Sequence, residues 1–388
     1  MEIRERLVYI LKHYKWIQYT YRICMSLFFR LVGQFFKIDK DLVLINSWVG
    51  KKYNDSPKVL FETMKDDHRF KNLKYVWAFE HPEKFDLKGA KCIKIDTWEY
   101  FKTALKAKVW ITCVNIERGL TIKKNDTIYI NTWHGAGTKK IGNACASRHD
   151  YDLSNVNMML VQSDFEKDIF IRDFNCRAEY IRKVGFPRND ELFHITDKDR
   201  IKYRKQFNIP DGKKVILYAP TWRDSKDGGL SYRVEPPIHI EKWRERFGEE
   251  YVVLFRMHPF TTIFNMQYDD FSRDCSSYDN LNHILAITDV LITDYSTIVY
   301  DSAVAHIPFI CFGFDYDRYY VERGFYYDLD KVYPGGVLRT EEEIWKRIED
   351  VMNDVDKDKY AAFREKYIEA GGHATEMVLD ELDHQLKD

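Results

Sequence analysis

Three short segments hold residues able to move a proton or grip a phosphate. Asn131–Gly142 reads NTWHGAGTKKIG, with His134 directly before Gly135 and with Lys139 and Lys140 adding positive charge. An imidazole titrates near neutral pH, so His134 is suited to take a proton from an attacking hydroxyl. Gly135 and Gly137 would let the backbone come close to a ligand; a capping histidine in a glycine turn is the plainer alternative. Arg256–Pro259 reads RMHP after the apolar run VVLF. His258 there would donate to a phosphate or stabilise a leaving group, or else be an ordinary buried histidine. Val290–Asp301 reads VLITDYSTIVYD. A strand running through Thr293 into Ser296, Thr297 and a helix would gather hydroxyls, free N–H groups and the positive end of the helix dipole, a cradle for a pyrophosphate. Asp and Ser are also ordinary helix caps.

Two further segments add candidates. Val215–Asp224 reads VILYAPTWRD, placing Thr221 and Arg223 just after a strand. Arg223 would hold a phosphate through two donors, or pair with Asp224 at the surface, where such a pair stabilises little. Asp315–Tyr327 reads DYDRYYVERGFYY. Its acidic triplet is weak ground for a metal site, and Arg318, Glu322 and Arg323 suit donor contacts or interdomain pairs better. The seven cysteines stand singly with no zinc-like spacing, which favours buried free thiols in a reducing compartment.

These motifs need strands to carry them. From Asp41 onward short apolar runs alternate with helical stretches, the pattern of α/β layers. Strands are expected at 42–45, 75–78, 92–95, 109–112, 127–131, 158–161 and 179–184, then at 215–218, 251–256, 290–293 and 309–312. Helices are expected at 57–64, 97–105, 165–174, 240–247, 296–305 and 341–355. A turn-rich stretch at 185–194 divides the two series. The 388 residues, 45% hydrophobic, suit two cores. The expected domains are 1–40, 41–195 and 196–388, with ligands at the C-terminal ends of the strands.

The formal net charge of −1 gives no reason to expect nucleic acid. Residues 1–40 depart from that balance, with eight Lys/Arg against three Asp/Glu. On a helix, Leu7, Ile10, Leu11, Tyr14, Ile17, Tyr21, Cys24, Met25 and Phe28 share one side, and Arg4, Lys12, Lys15 and Arg22 another. That is the pattern of a helix lying in an anionic membrane surface, or of an amphipathic helix docked on the protein. No apolar run reaches the roughly 18 residues of a membrane span.

Taken in order, SWVGKKYNDSPKVLFE (47–62), NTWHGAGTKKIG (131–142), VGFPRND (184–190), ILYAPTWRD (216–224), FRMHP (255–259), ITDYSTIVYDSA (292–303) and DYDRYYVERGFYYDL (315–329) resemble the CDP-glycerol glycerophosphotransferase family of teichoic acid primases and polymerases. The resemblance spans nearly all of 42–330. It implies a glycosyltransferase-B-like fold, two Rossmann-like domains around a cleft, and a peripheral enzyme on the cytoplasmic face of the membrane. It implies His134 as the base and His258 at the donor phosphates. Arg223, Thr293, Ser296, Thr297 and Arg323 fall on the donor side, Gly135 and Lys139 on the acceptor side. No cofactor and no metal are expected. The reaction implied is transfer of a polyol phosphate from CDP-glycerol to a lipid-linked disaccharide or polymer, with release of CMP. CDP-ribitol as donor, a nucleotide-sugar glycosyltransferase and a non-enzymatic membrane scaffold are the rival readings. Two departures stand out: Ala136 where the family often has Thr, and Gly371–Met377, which lacks the family's Asp and Arg.

Overall fold

The computed structural model describes residues 14–135, 137–145, 150–221, 237–257 and 269–387. Apolar runs of about four residues, each followed by a turn and a helix, make strands that are covered on both faces. The first series comprises β1 (Asp39–Asn46), β2 (Lys74–Phe79), β3 (Ala90–Lys94), β4 (Ala107–Thr112), β5 (Ile128–Asn131), β6 (Met158–Val161) and β7 (Ile181–Lys183). The second comprises β8 (Lys214–Tyr218), β9 (Tyr251–Phe255), β10 (Ser272–Asp274), β11 (Val290–Thr293), β12 (Phe309–Phe312) and β13 (Val337–Leu338).

Each series forms one sheet, ordered β3-β2-β1-β4-β5-β6-β7 and β10-β9-β8-β11-β12-β13. Every pairing of these strands is parallel. Both sheets thus have the doubly wound order, reversing direction between β1 and β4 and between β8 and β11. Period-two alternation splits each strand between two cores. Val43 and Ile45 of β1 enter one and Leu44 the other; Val215 and Leu217 of β8 enter a third and Ile216 and Tyr218 a fourth.

The domain division differs from expectation at the C-terminus. Ala374, Val378, Leu379 and Leu382 of the helix Ala374–Lys387 join the core around Val43, Leu60 and Trp77 in the first half. Arg69 pairs with Asp380 (2.5 Å) and Arg182 with Glu381 (2.7 Å). The chain therefore crosses back, through Gly371 and Gly372. Gly371 packs so tightly that a Cβ on Gly185 would lie 2.7 Å from its Cα. Asp190 then caps the returning helix through the N–H groups of Ala374 (3.0 Å) and Thr375 (2.7 Å).

The helix Lys15–Gly33 lies against the first half. Phe29 is buried and stacks on Phe101 with centroids 4.5 Å apart. Arg22 Nε donates to Gly119 O (2.7 Å) and Arg30 Nε to Thr121 O (2.9 Å). Arg22 is thus spent on the protein rather than presented on an outward basic face. The exposed stripe is apolar instead: Trp16, Tyr19, Ile23, Leu27 and Leu31, with Trp16 70% and Leu31 61% exposed. The residues expected to extend this helix before Tyr14 lie outside the described part. No described helix is long and apolar enough to cross a membrane.

Candidate active site

β1, β4 and β5 end side by side, and their following residues build the mount of one imidazole. The N–H of Trp133 reaches Asn131 Oδ1 (3.0 Å), and Asn131 Nδ2 holds Val114 O (3.0 Å). Trp133 itself sits at φ 49°, a left-handed conformation that turns the chain sharply. His134 follows, partly exposed between two indoles, with Trp133 centred 4.6 Å and Trp48 4.7 Å away. Its Nδ1 lies 2.7 Å from Cys113 O. A carbonyl can only accept, so Nδ1 carries the hydrogen and Nε2 keeps its lone pair. Burial holds the imidazole pKa below its ordinary value, against the raising effects of the Cys113 carbonyl and Asp55. A neutral ring with a fixed tautomer is what a general base requires. The neighbouring Cys113 is no nucleophile, because burial pushes its thiol up to about 12.

In the second half, Asp294 ties the ends of β8 and β11 together, accepting from the N–H groups of Thr221 (2.8 Å) and Tyr295 (2.6 Å). Ser296 and Thr297 are partly exposed at the start of the helix Ile298–Val304, and the Thr297 hydroxyl makes no capping bond. Thr293 departs from the expected cradle. Its hydroxyl is buried and donates to Ala219 O (2.6 Å), so it braces the two strands and leaves contact with a donor to its neighbours.

The two halves meet at the glycines. Gly135 has φ 114°, and a Cβ there would lie 3.1 Å from Thr297 Oγ1; Gly137 has φ 112°, and a Cβ there would lie 2.6 Å from Tyr300 Oη. Close approach was expected toward a ligand, but here it is between the histidine loop and the hydroxyl loop. The seam continues through the next residues. Lys139 bridges Phe325 in antiparallel fashion, Lys140 N donates to Gly324 O (3.2 Å) and Tyr326 N to Thr138 O (3.1 Å). Lys139 thus stands on the seam rather than on an acceptor face. Arg323 is partly exposed at the end of the helix Tyr316–Arg323, beside this bridge. Arg318 pairs with Glu322 on the surface (2.9 Å) and is no interdomain contact. His258, Arg223 and Ala136 lie outside the described residues. Among the described residues no group of three or more His, Cys, Asp or Glu could hold a metal.

One constellation at the seam had been given no role. Arg188 pairs with Asp301 of the second half (3.0 Å) and Asp55 of the first (3.3 Å), and Asn189 Nδ2 also donates to Asp301 Oδ1 (2.7 Å). The three side chains are only 17%, 9% and 7% exposed. Burial alone would lower the guanidinium pKa, but Asp301 and Asp55 reverse this and keep it charged. The cluster borders the histidine loop, since Arg188 Nη2 is 3.9 Å from a Cβ position on Gly135. Its members lie inside NDSPK and VGFPRND, motifs read without roles, and STIVYD, where only the hydroxyls had been given one; a charged residue within each was the available signal.

Two doubly wound sheets that meet with a histidine loop on one side and a hydroxyl-rich helix start on the other form a two-domain α/β architecture. Residues 27–382 match the family described as CDP-glycerol:poly(glycerophosphate) glycerophosphotransferase, and the chain belongs to it. A teichoic acid glycerol-phosphate transferase of Staphylococcus aureus is 31% identical over 81% of this chain and 86% of its own length. A teichoic acid poly(glycerol phosphate) polymerase of Staphylococcus epidermidis is 29% identical over 89% of this chain, which spans about half (51%) of that longer protein. Among solved structures, the wall teichoic acid polymerase TagF superposes with a TM-score of 0.82 at 27% identity, covering 100% of this chain and 99% of that one. The S. aureus MnaA–UDP structure, at 11% identity and TM-score 0.54, covers 89% of this chain and 96% of that one and shares the fold alone.

Proposed function

We propose that this protein transfers glycerol phosphate from CDP-glycerol to a hydroxyl of a lipid-linked, teichoic acid-type acceptor. The acceptor oxygen attacks the phosphorus that bears the glycerol, a new P–O bond forms, the phosphoanhydride bond breaks and CMP leaves. The hydroxyl proton passes to His134 Nε2. The single observation that carries this reading is the Nδ1–H bond of His134 to Cys113 O, which leaves Nε2 with its lone pair in a loop whose next residue, Gly135, lies against Thr297. Donor phosphates would lie against Ser296 and Thr297, with Arg323 at the margin and with His258 and Arg223 assigned there by family resemblance. Positioning and charge stabilisation carry such a transfer. Support for the donor comes from the family description and from a TagF variant soaked with CDPG.

The apolar stripe Trp16–Leu31 suits a helix lying in a membrane surface, which on the cytoplasmic side would bring the site to a lipid-held acceptor. The experiment is a CMP-release assay with CDP-glycerol and, separately, CDP-ribitol. Release dependent on acceptor and on CDP-glycerol supports the reading. A preference for CDP-ribitol would move the enzyme to the ribitol side, where a Bacillus spizizenii polymerase is 31% identical over 68% of this chain. Release of a nucleoside diphosphate, or of nothing, would refute it.

A further inference from the structure

A cavity of about 500 Å³ lies beside the histidine mount, between the helix Lys15–Gly33 and two loops, 114–121 and 150–155. That volume falls within the roughly 300–1,000 Å³ range of small-molecule sites. Val114 and Asn115 line it directly after Cys113, whose carbonyl fixes His134. Trp133 also lines it, and its indole stacks on His134. On the other side stand Gln18, Tyr21 and Arg22 of the helix that also carries the exposed apolar stripe. The cavity therefore lies between the surface suited to lipid and the residues that hold the base.

We infer that this cavity binds the sugar headgroup of the membrane-held acceptor, an uncharged glycosyl unit rather than a run of phosphodiesters. The inference rests on the transferase reading above. Charge decides between the two ligands. Both guanidinium groups in the wall are already matched: Arg22 by Asp150 (2.6 Å) and Arg118 by the two oxygens of Asp96 (2.7 and 3.0 Å). Asp150, Asp152 and Glu117 also line the space. Among the described residues a phosphate would meet carboxylates and no unmatched cation there, which is repulsive. Sugar hydroxyls are donors that carboxylate and amide oxygens accept, and Tyr21 and Tyr151 add aromatic surface to the wall for the C–H groups of a pyranose. Asn155, in the same wall, commits Nδ2 to Glu117 Oε2 (2.6 Å), and its buried Oδ1 has no partner among the described residues. A buried acceptor of this kind normally finds a water or a ligand.

The test uses the full chain with CDP-glycerol and two acceptors: a disaccharide on a short alkyl diphosphate chain, and a glycerol phosphate oligomer without sugar. Ser154→Trp fills the cavity from the loop side, and Gln18→Trp fills it from the helix side should the first variant fold poorly. Either should raise KM for the disaccharide acceptor at least tenfold. KM for CDP-glycerol, and the rate with the sugarless oligomer, should stay unchanged. An unchanged KM for the disaccharide, or an equal rise for the oligomer, overturns the assignment. Calorimetric binding of the disaccharide separates this failure from failure of the transferase reading. If no acceptor supports CMP release, binding by the wild type that is lost in the filled variants still upholds the sugar site, and equal or absent binding refutes it.

Discussion

Removing Arg188 should leave the seam with two buried carboxylates that lack a counter-charge. Arg188→Met keeps the bulk of the side chain and leaves Asp55 and Asp301 as buried carboxylates without their cation. Breaking a buried pair from one side costs about 3–5 kcal/mol. The lower end applies here, because each carboxylate keeps other donors. Asp301 retains Asn189 Nδ2 (2.7 Å), and Asp55 retains Ser56 N (2.7 Å) and Trp48 Nε1 (3.1 Å). We expect a loss of about 3 kcal/mol in urea unfolding at pH 7.5, seen as a lower midpoint at unchanged slope. Asp301→Asn added to the variant should recover part of the loss, since an amide needs no counter-charge. A loss below about 1 kcal/mol, or no recovery in the double variant, would refute a charged interdomain bridge.

His134→Ala should reduce acceptor-dependent CMP release by at least about a hundredfold with donor affinity retained; equal turnover would remove it as the base. In the wild type, the acid limb of kcat/KM should have its midpoint below the ordinary imidazole value of 6.5, because burial disfavours the protonated ring and the neutral ring is the active form. A limb above 6.5 would contradict that environment. Gly137→Ala places a methyl 2.6 Å from Tyr300 Oη at φ 112°; it should cost about 1–3 kcal/mol from backbone strain, and Tyr300→Phe should restore only the steric part in thermal unfolding. Leu27→Glu with Leu31→Glu, both on the exposed stripe, should abolish sedimentation with anionic vesicles and leave the melting temperature within a degree or two; retained binding would place the membrane contact elsewhere.

Much of the fold was legible because parallel strands buried on both faces are read as plain apolar runs. Val290–Thr293, Phe309–Phe312 and Met158–Val161 coincide with their expected limits for that reason. Elements without an apolar signature escaped. The helix Asp197–Gln206 reads DKDRIKYRKQ and buries only Tyr203, so it offers no stripe; Thr196 and Asp199 specify it instead through a capping box. β10 is three polar residues at a sheet edge and β13 only two residues, held by register with β9 and β12. The return of the last helix to the first half could not be read at all. Its apolar face, Val378, Leu379 and Leu382, says only that something covers it, and the choice of core is made by Asp190 and the Gly185–Gly371 contact.

The site was legible in its residues but not in its logic. Glycines beside a histidine suggest room for substrate, yet both point their missing side chains at the opposite domain. That changes what the histidine loop does. Holding Trp133 at φ 49° is costly, and the loop before Asp55 adds Trp48 and Val49 at φ 47° and 60°. Such conformations persist only where surrounding contacts over-determine them. The contacts that do so are the Lys139–Phe325 bridge, the Tyr326 hydroxyl shared between Ile141 and Asp173, and the Asp55–Arg188–Asp301 cluster. Two of these three join one half to the other directly through charge or backbone, and the third does so through a tyrosine of the second half. His134 is therefore positioned by the closed pairing of the two domains as much as by its own sheet. A change that loosens the seam should lower kcat even when His134 and the hydroxyls of Ser296 and Thr297 are untouched.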